Sequence, residues 1–320
     1  MSELLKRIDA RTKLAGSNKL EMLLFSLGKD SRTGREETFG INVFKVREVM
    51  RIPPITHAPD MPDSVEGMVS LRGSLVPVID LTKYVGIKNE TPPQIMIVTE
   101  YNGHTQGFLV ESVDTILRVD WSAMKVPPEM LTVQMGGLIT AVTELNDGRI
   151  VMMMDVEKIL ADTTTFADDI TIAGLAPLDV GEKTIFFTDD SSVARKQIQK
   201  TLEALGLNYM FATNGKDAWQ ELQKIAARAE VHQQPVKDYI QLILTDVEMP
   251  EMDGYVLTRN IKGDGRFAGI PVLMHSSLSS SANQQLGKSV GVDEYVSKFE
   301  PNRLAEVLSR LLGAGKPERT

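Results

Sequence analysis

Five polar residues in the second half of the chain lie just past apolar runs of strand length. Asp189 and Asp190 follow Thr184 to Thr188, Asp246 follows Ile240 to Leu244, Ser276 follows Val272 to Met274, and Lys298 follows Tyr295 and Val296. A lone aspartate at a strand end is an ordinary turn former. Five such groups at one end of one sheet make a crevice, because ligands of open α/β sheets bind outside the carboxyl ends of the strands. Two carboxylates about 4 Å apart repel by roughly 4 kcal/mol at an effective dielectric of 20. Asp189, Asp190 and Asp246 therefore invite a divalent cation, and oxygen-only ligands suit Mg²⁺ or Mn²⁺. A carboxylate beside such an ion can attack a phosphoryl group, with Lys298 as a point charge and the Ser276 hydroxyl as a donor to its oxygens. Hydride and acyl transfer find no reagent in this set.

The elements that must hold these residues can be read from the period of the apolar positions. Residues 183–320 alternate strands with helices. Ala194, Ile198, Leu202 and Leu205 recur at helical spacing after Ser191 or Ser192, either of which can cap the helix, and Gly206 stops it. Leu207 to Phe211 is a second strand, and Ala218, Leu222, Ile225 and Ala229 mark a second helix. The strand before Asp246 is the third, and a helix from about Tyr255 to Ile261 follows it. Two more strands and helices close the series, the last helix starting at Pro301 with Leu304, Val307, Leu308 and Leu311 as its buried face. Five βα units in succession predict an α/β, doubly wound (βα)5 parallel sheet.

Residues 1–160 read differently. Residues 1–18 read as a polar, helical lead-in without a decisive signal, and short strands are expected from Leu20. Leu20 to Leu27, Phe39 to Met50, Gly67 to Leu71, Leu75 to Ile79, Ile95 to Thr99, Gly107 to Val110, Leu138 to Leu145 and Arg149 to Met154 are separated by turn residues. Asn102-Gly103 and Asn146-Asp147-Gly148 are hairpin signals. This spacing predicts an all-β barrel or sandwich. Between the two parts, residues 161–182 hold five acidic residues and no basic one, which predicts a solvated acidic linker, with a helical extension after Val156 to Leu160 as the alternative that the threonines at 163–165 disfavour.

The totals exclude several classes. The chain has 320 residues and a formal net charge of −8, with 42% hydrophobic and 24% charged residues. No part carries the basic excess that a phosphate backbone selects, so nucleic acid is excluded as a partner. There is no cysteine, hence no disulfide or thiolate chemistry. His57, His104, His232 and His275 show no metal-ligand spacing. No apolar run is long enough to insert into a membrane, and the expected location is cytoplasmic.

Two stretches carry a family resemblance. Phe39 to Val49, followed by Gly67 to Leu81 with its Leu71-Arg72-Gly73 and Val76-Pro77-Val78-Ile79-Asp80-Leu81, resembles the CheW-like coupling domain of bacterial chemotaxis. The resemblance covers about residues 18 to 160. It implies a double barrel that bridges chemoreceptor cytoplasmic tips to a histidine kinase, with Arg72, Glu48 and Val46 as candidate partner contacts. Asp189-Asp190, the run Asp246-Val-Glu-Met-Pro-Glu-Met-Asp-Gly254, Pro271 to Met274 with Ser276, and Lys298 resemble the response-regulator receiver domain. That resemblance implies that Asp246 accepts phosphate from a kinase phosphohistidine. It further implies that Asp190 and Asp246 ligate Mg²⁺ with Asp189 assisting, and that the backbone carbonyl of Glu248 completes the set. By the same resemblance, Tyr295 would occupy the position whose ring reorients as Ser276 engages the phosphoryl group.

Two departures stand out: Phe299, not proline, follows the lysine, and Glu248 puts an acidic side chain two residues past the acceptor. The combined expectation is a multidomain chain: a CheW-like double barrel (1–160), an acidic linker (161–182) and a receiver (183–320). It would act as a phosphorylation-regulated chemotaxis adaptor at receptor arrays, not as an enzyme, with a further role as a phosphate sink. The alternative is an aspartyl-phosphate-forming phosphatase of haloacid-dehalogenase type, for which Glu248 is the nearest match to the second acidic residue. A transcriptional regulator would need a basic helix-turn-helix output that the sequence lacks.

Overall fold

The structure is a computed structural model and describes residues 19–313 apart from 58, 90, 102–103, 164–171 and 278–280. The chain divides into two compact units, one spanning Leu20–Thr165 and the other beginning at Phe166.

The first unit is built on two five-stranded sheets. Strands β1 (Lys19–Lys29), β2 (Glu36–Asn42), β8 (Ser112–Asp120), β9 (Ile139–Glu144) and β10 (Ile150–Met154) form one, in the order β8-β1-β2-β10-β9. The other is β3 (Val46–Arg51), β4 (Val65–Leu71), β5 (Ser74–Asp80), β6 (Ile95–Tyr101) and β7 (His104–Val110), in the order β3-β6-β7-β5-β4. Each sheet has its own core: Leu20, Met22, Leu24, Trp121 and Met153 in the first, and Val69, Val76, Val78, Met96 and Val98 in the second.

The stretch from Phe39 to Met50, expected as one strand, is two. Asn42 accepts a hydrogen bond from the Phe44 amide at 2.9 Å and caps a helical turn over Val43–Lys45. That turn carries the chain from one sheet to the other. The Asn102-Gly103 turn lies outside the described residues, although β6 and β7 pair up to Tyr101 and His104. Strand β8 was not anticipated, because it is half-exposed throughout and shows no clean alternation.

A boundary at residue 160 would cut a helix. Helix α3 (Val156–Thr163) follows the short α1 (Leu81–Val85) and α2 (Glu129–Gln134), and it runs three residues into the stretch expected to be linker. Its start is capped by Asp155, which accepts from the Glu157 and Lys158 amides at 2.9 and 3.2 Å. Lys45 pairs with buried Glu157 at 3.1 Å, and the Tyr84 hydroxyl donates to Asp162 at 2.6 Å. The other end of the expected linker is partly packed, although most of its residues stay exposed. Leu175, Leu178 and Val180 pack against a core of the second unit, and the Leu178 amide donates to the Leu205 carbonyl at 2.9 Å. The acidic composition concealed three apolar residues that remove part of their surface from water.

The second unit is a parallel sheet in the order β12-β11-β13-β14-β15: β11 (Thr184–Thr188), β12 (Asn208–Ala212), β13 (Leu242–Thr245), β14 (Val272–Ser276) and β15 (Glu294–Ser297). Helices α4 (Ser192–Ala204) and α8 (Pro301–Leu311) cover one face through Ile198, Leu202, Leu304 and Leu308. Helices α5 (Gly215–Val231) and α6 (Gly254–Gly263) cover the other through Ala218, Leu222, Leu257 and Ile261. Helix α7 (Ser281–Val290) lies between β14 and β15 in sequence. Covered on both faces, the central strands are continuous apolar runs, as a parallel sheet requires.

Candidate functional site

Asp246 follows β13, the middle strand of the second unit's sheet, and its backbone is fixed on several sides. Its amide donates to the Thr188 carbonyl at 2.9 Å, and the Thr245 hydroxyl donates to its carbonyl at 2.8 Å. The Val247 amide donates to Asp246 Oδ1 at 2.6 Å. Gly254, the first residue of α6, crosses so close that a Cβ there would stand 1.9 Å from the Asp246 carbonyl oxygen. Only glycine permits that approach. Asp253 then caps α6, accepting from the Val256 amide at 2.7 Å, and burial raises its pKa above the ordinary carboxylate value.

Asp189, Asp190 and Asp246 each present a carboxylate oxygen within 4.8 Å of the others. Asp189 and Asp246 are buried, and Asp190 is half-buried. Lys298 Nζ stands 2.9 Å from Asp189 Oδ2 and 2.9 Å from Asp246 Oδ2, with its side chain 3% exposed. Its main chain is held by its amide, which donates to the Ser276 carbonyl at 3.2 Å. One ammonium thus faces three carboxylates, leaving a negative excess that an oxygen-seeking divalent cation fits. Phe299, the departure after the lysine, takes a φ of 61°, a region that bulky residues seldom occupy.

Ser276 is buried at the end of β14, and its side chain hydrogen-bonds the Tyr295 phenol. Tyr295 packs with Val247, Tyr255, Met274 and Leu286. Burial pushes its pKa well above the ordinary phenol range, with the Ser276 hydrogen bond acting in the opposite direction. The phenol is therefore neutral at any physiological pH, and what it can change is its partner. Glu248 is buried on the same side, and its charge adds to the upward shift of both Tyr255 and Tyr295.

The sequence thus named a set that the fold brings together: Asp189, Asp190, Asp246, Lys298, Ser276 and Tyr295. It overlooked Arg195, whose Nη1 donates to the Asp189 carbonyl at 2.8 Å. The signal was an arginine one turn inside the helix that follows Asp189-Asp190, close enough to reach back over the cap. In the first unit, Arg72 at the β4–β5 turn pairs with Glu48 on β3 at 3.0 Å, and the arginine side chain is 71% exposed. Val46 is different. Its side chain is buried at the start of β3, so it is not available to a partner, because the turn over Val43–Lys45 directs it inward.

Comparison with known proteins gives consistent results. The CheW-like domain matches residues 21–164, and the response regulator receiver domain matches residues 185–309. Chemotaxis protein CheV3 of Helicobacter pylori is 30% identical over 302 residues, covering 92% of this chain and 95% of its own length. Chemotaxis proteins CheV1 and CheV2 of the same organism are 28% and 26% identical, covering 98% and 97% of this chain and 99% and 100% of their own lengths. The phosphatase alternative gains no support from these similarities. Among the described residues, no helix is long and apolar enough to cross a membrane.

Proposed function

Because the chain belongs to the CheV family of chemotaxis proteins, adaptors with a CheW-like domain and a phosphorylatable receiver, we propose that Asp246 is the phosphoryl acceptor that regulates it. The observation that carries this reading is the buried Lys298, 2.9 Å from both Asp189 and Asp246, beside three carboxylates gathered within 4.8 Å. An Asp246 carboxylate oxygen attacks the phosphorus of a kinase phosphohistidine. The P–N bond breaks, and the imidazole leaves with the electron pair. Lys298 meets the charge on the phosphoryl oxygens, and the Ser276 hydroxyl exchanges Tyr295 for one of them. Asp190, Asp246 and the Glu248 backbone carbonyl would hold Mg²⁺ or Mn²⁺, with Asp189 assisting. When bound, that ion supplies positive charge for the transferring group.

Losing Ser276 as a partner frees the Tyr295 phenol to move, and the β14–β15 face changes with it. Phosphorylation then alters how the adaptor couples chemoreceptor tips to the histidine kinase, in the cytoplasm at receptor arrays. Glu48 and Arg72 are the coupling-domain contacts in this reading.

Intact-mass spectrometry with Mg²⁺ and a small phosphodonor tests the acceptor. The chain should gain one phosphoryl group, labile to base, and Asp246→Asn should gain none. An equal gain in Asp246→Asn would place the acceptor elsewhere. Hydrogen exchange with and without the phosphodonor should show changed protection at β14 and β15.

A further inference from the structure

Arg195 encloses the turn that carries Asp190. Its backbone amide donates to the Ser191 carbonyl at 3.0 Å, which fixes it in the first turn of α4. Its guanidinium reaches back past the cap and donates to the Asp189 carbonyl at 2.8 Å. Asp189 Oδ1 accepts from the Ser191 amide at 2.9 Å, and Ser191 Oγ accepts from the Ala194 amide at 3.3 Å. The Asp189 carbonyl belongs to the peptide that joins Asp189 to Asp190, so the guanidinium holds the plane from which Asp190 departs.

We infer that Arg195 is a positioning residue for divalent-cation binding: it holds the Asp189–Asp190 turn so that the Asp190 carboxylate stays beside Asp189 and Asp246. The argument is electrostatic and geometric. Carboxylates gathered within 4.8 Å repel one another, and Asp190 is the half-buried member of a set whose other two are buried. With the bracket gone, the turn relaxes by moving Asp190 outward, and the cation site loses a ligand before it is filled. A guanidinium holds a carbonyl with a donor whose direction is fixed by its planar fork. A lysine can supply one donor, without that fixed geometry.

This inference rests on the cation site proposed above, and its test separates the two. Mg²⁺ alone is titrated by calorimetry into the full-length protein and into Arg195→Met, Arg195→Lys and Asp190→Asn, with each variant's thermal unfolding recorded without Mg²⁺. The expected result is Mg²⁺ affinity at least tenfold weaker in Arg195→Met and intermediate in Arg195→Lys. The rate of phosphorylation by a small phosphodonor should return to within about twofold of the parent at saturating Mg²⁺. If the parent and Asp190→Asn bind Mg²⁺ alike, or neither binds, the cation site itself is wrong and the inference falls with it. If the parent binds, Asp190→Asn does not, and Arg195→Met binds within twofold of the parent, the site stands and the role of Arg195 is refuted. A fall in melting temperature with unchanged Mg²⁺ affinity refutes it too, because that is the signature of a merely structural residue.

Discussion

Lys298 and Arg72 each join a carboxylate on another part of their sheet at about the same distance, 2.9 and 3.0 Å, yet the first side chain is 3% exposed and the second 71%. In water an ion pair gains little, since solvation already does most of what the partner offers. Out of water, a charge left alone is costly, so the group must be compensated wherever the fold puts it. The receiver therefore advertises its site through an arrangement that packing alone would not favour. The coupling domain's surface charges carry no such mark, and physics gives no reason to single out Arg72 from other exposed arginines.

That contrast is open to attack, and the largest effect is expected at Lys298. Lys298→Met leaves Asp189 and Asp246 facing each other in a buried crevice, and the second unit should lose about 3–5 kcal/mol of stability in denaturant unfolding. Excess Mg²⁺ should return part of that loss. A change below 1 kcal/mol would mean that the crevice is far wetter than its burial indicates. Lys45 stands between the extremes, 13% exposed beside a Glu157 that is 1% exposed. Lys45→Met should cost the first unit about 2–3 kcal/mol, read from the same unfolding curves.

Arg72→Ala should change stability by less than about 0.5 kcal/mol and still weaken capture of the kinase–receptor assembly. A large loss of stability would make Arg72 a structural closure of its barrel, not a contact. The smallest effect is a pH effect at Asp264. The Arg266 guanidinium, by hydrogen bonding, holds this carboxyl below the ordinary carboxylate range. A depressed folded-state pKa contributes stability that is fully present above the unfolded value and lost as pH falls through the folded one. The stability gap between the parent and Asp264→Asn should therefore be complete above about pH 5 and close as the solution is acidified. A gap that persists unchanged into strong acid would remove ionisation as its cause.

The same contrast explains what could be read before the fold was known. The parallel sheet was legible because its strands are continuous apolar runs that end in polar groups, and both periodicities survive in one sequence. Asp189, Asp190, Asp246, Ser276 and Lys298 were legible because they fall at those ends. Arg195 was not, since its contact is to a main-chain carbonyl, and a carbonyl leaves no trace in the identity of Asp189. The packing of Leu175, Leu178 and Val180 was hidden by acidic neighbours, which composition averages with them. Val46 came from resemblance, which carries no information on which way its side chain faces, and after the one-turn helix at Val43–Lys45 that side chain is buried. Glu48 and Arg72 came from resemblance alone.

The position of β15 has a consequence for how this receiver breathes. It is a four-residue strand at the rim of the sheet, hydrogen-bonded to a neighbour on one side, and the chain leaves it directly into Lys298. Such a strand would ordinarily peel away and exchange its amide hydrogens long before the middle of the domain. Here peeling withdraws the ammonium from between Asp189 and Asp246, so the rim cannot open without unbalancing the centre. Rim and centre are thereby joined into one cooperative block, and the amides of β15 are expected to exchange at the pace of β11 and β13. Occupation of the carboxylates by a cation would loosen that bond between them and let the rim exchange on its own.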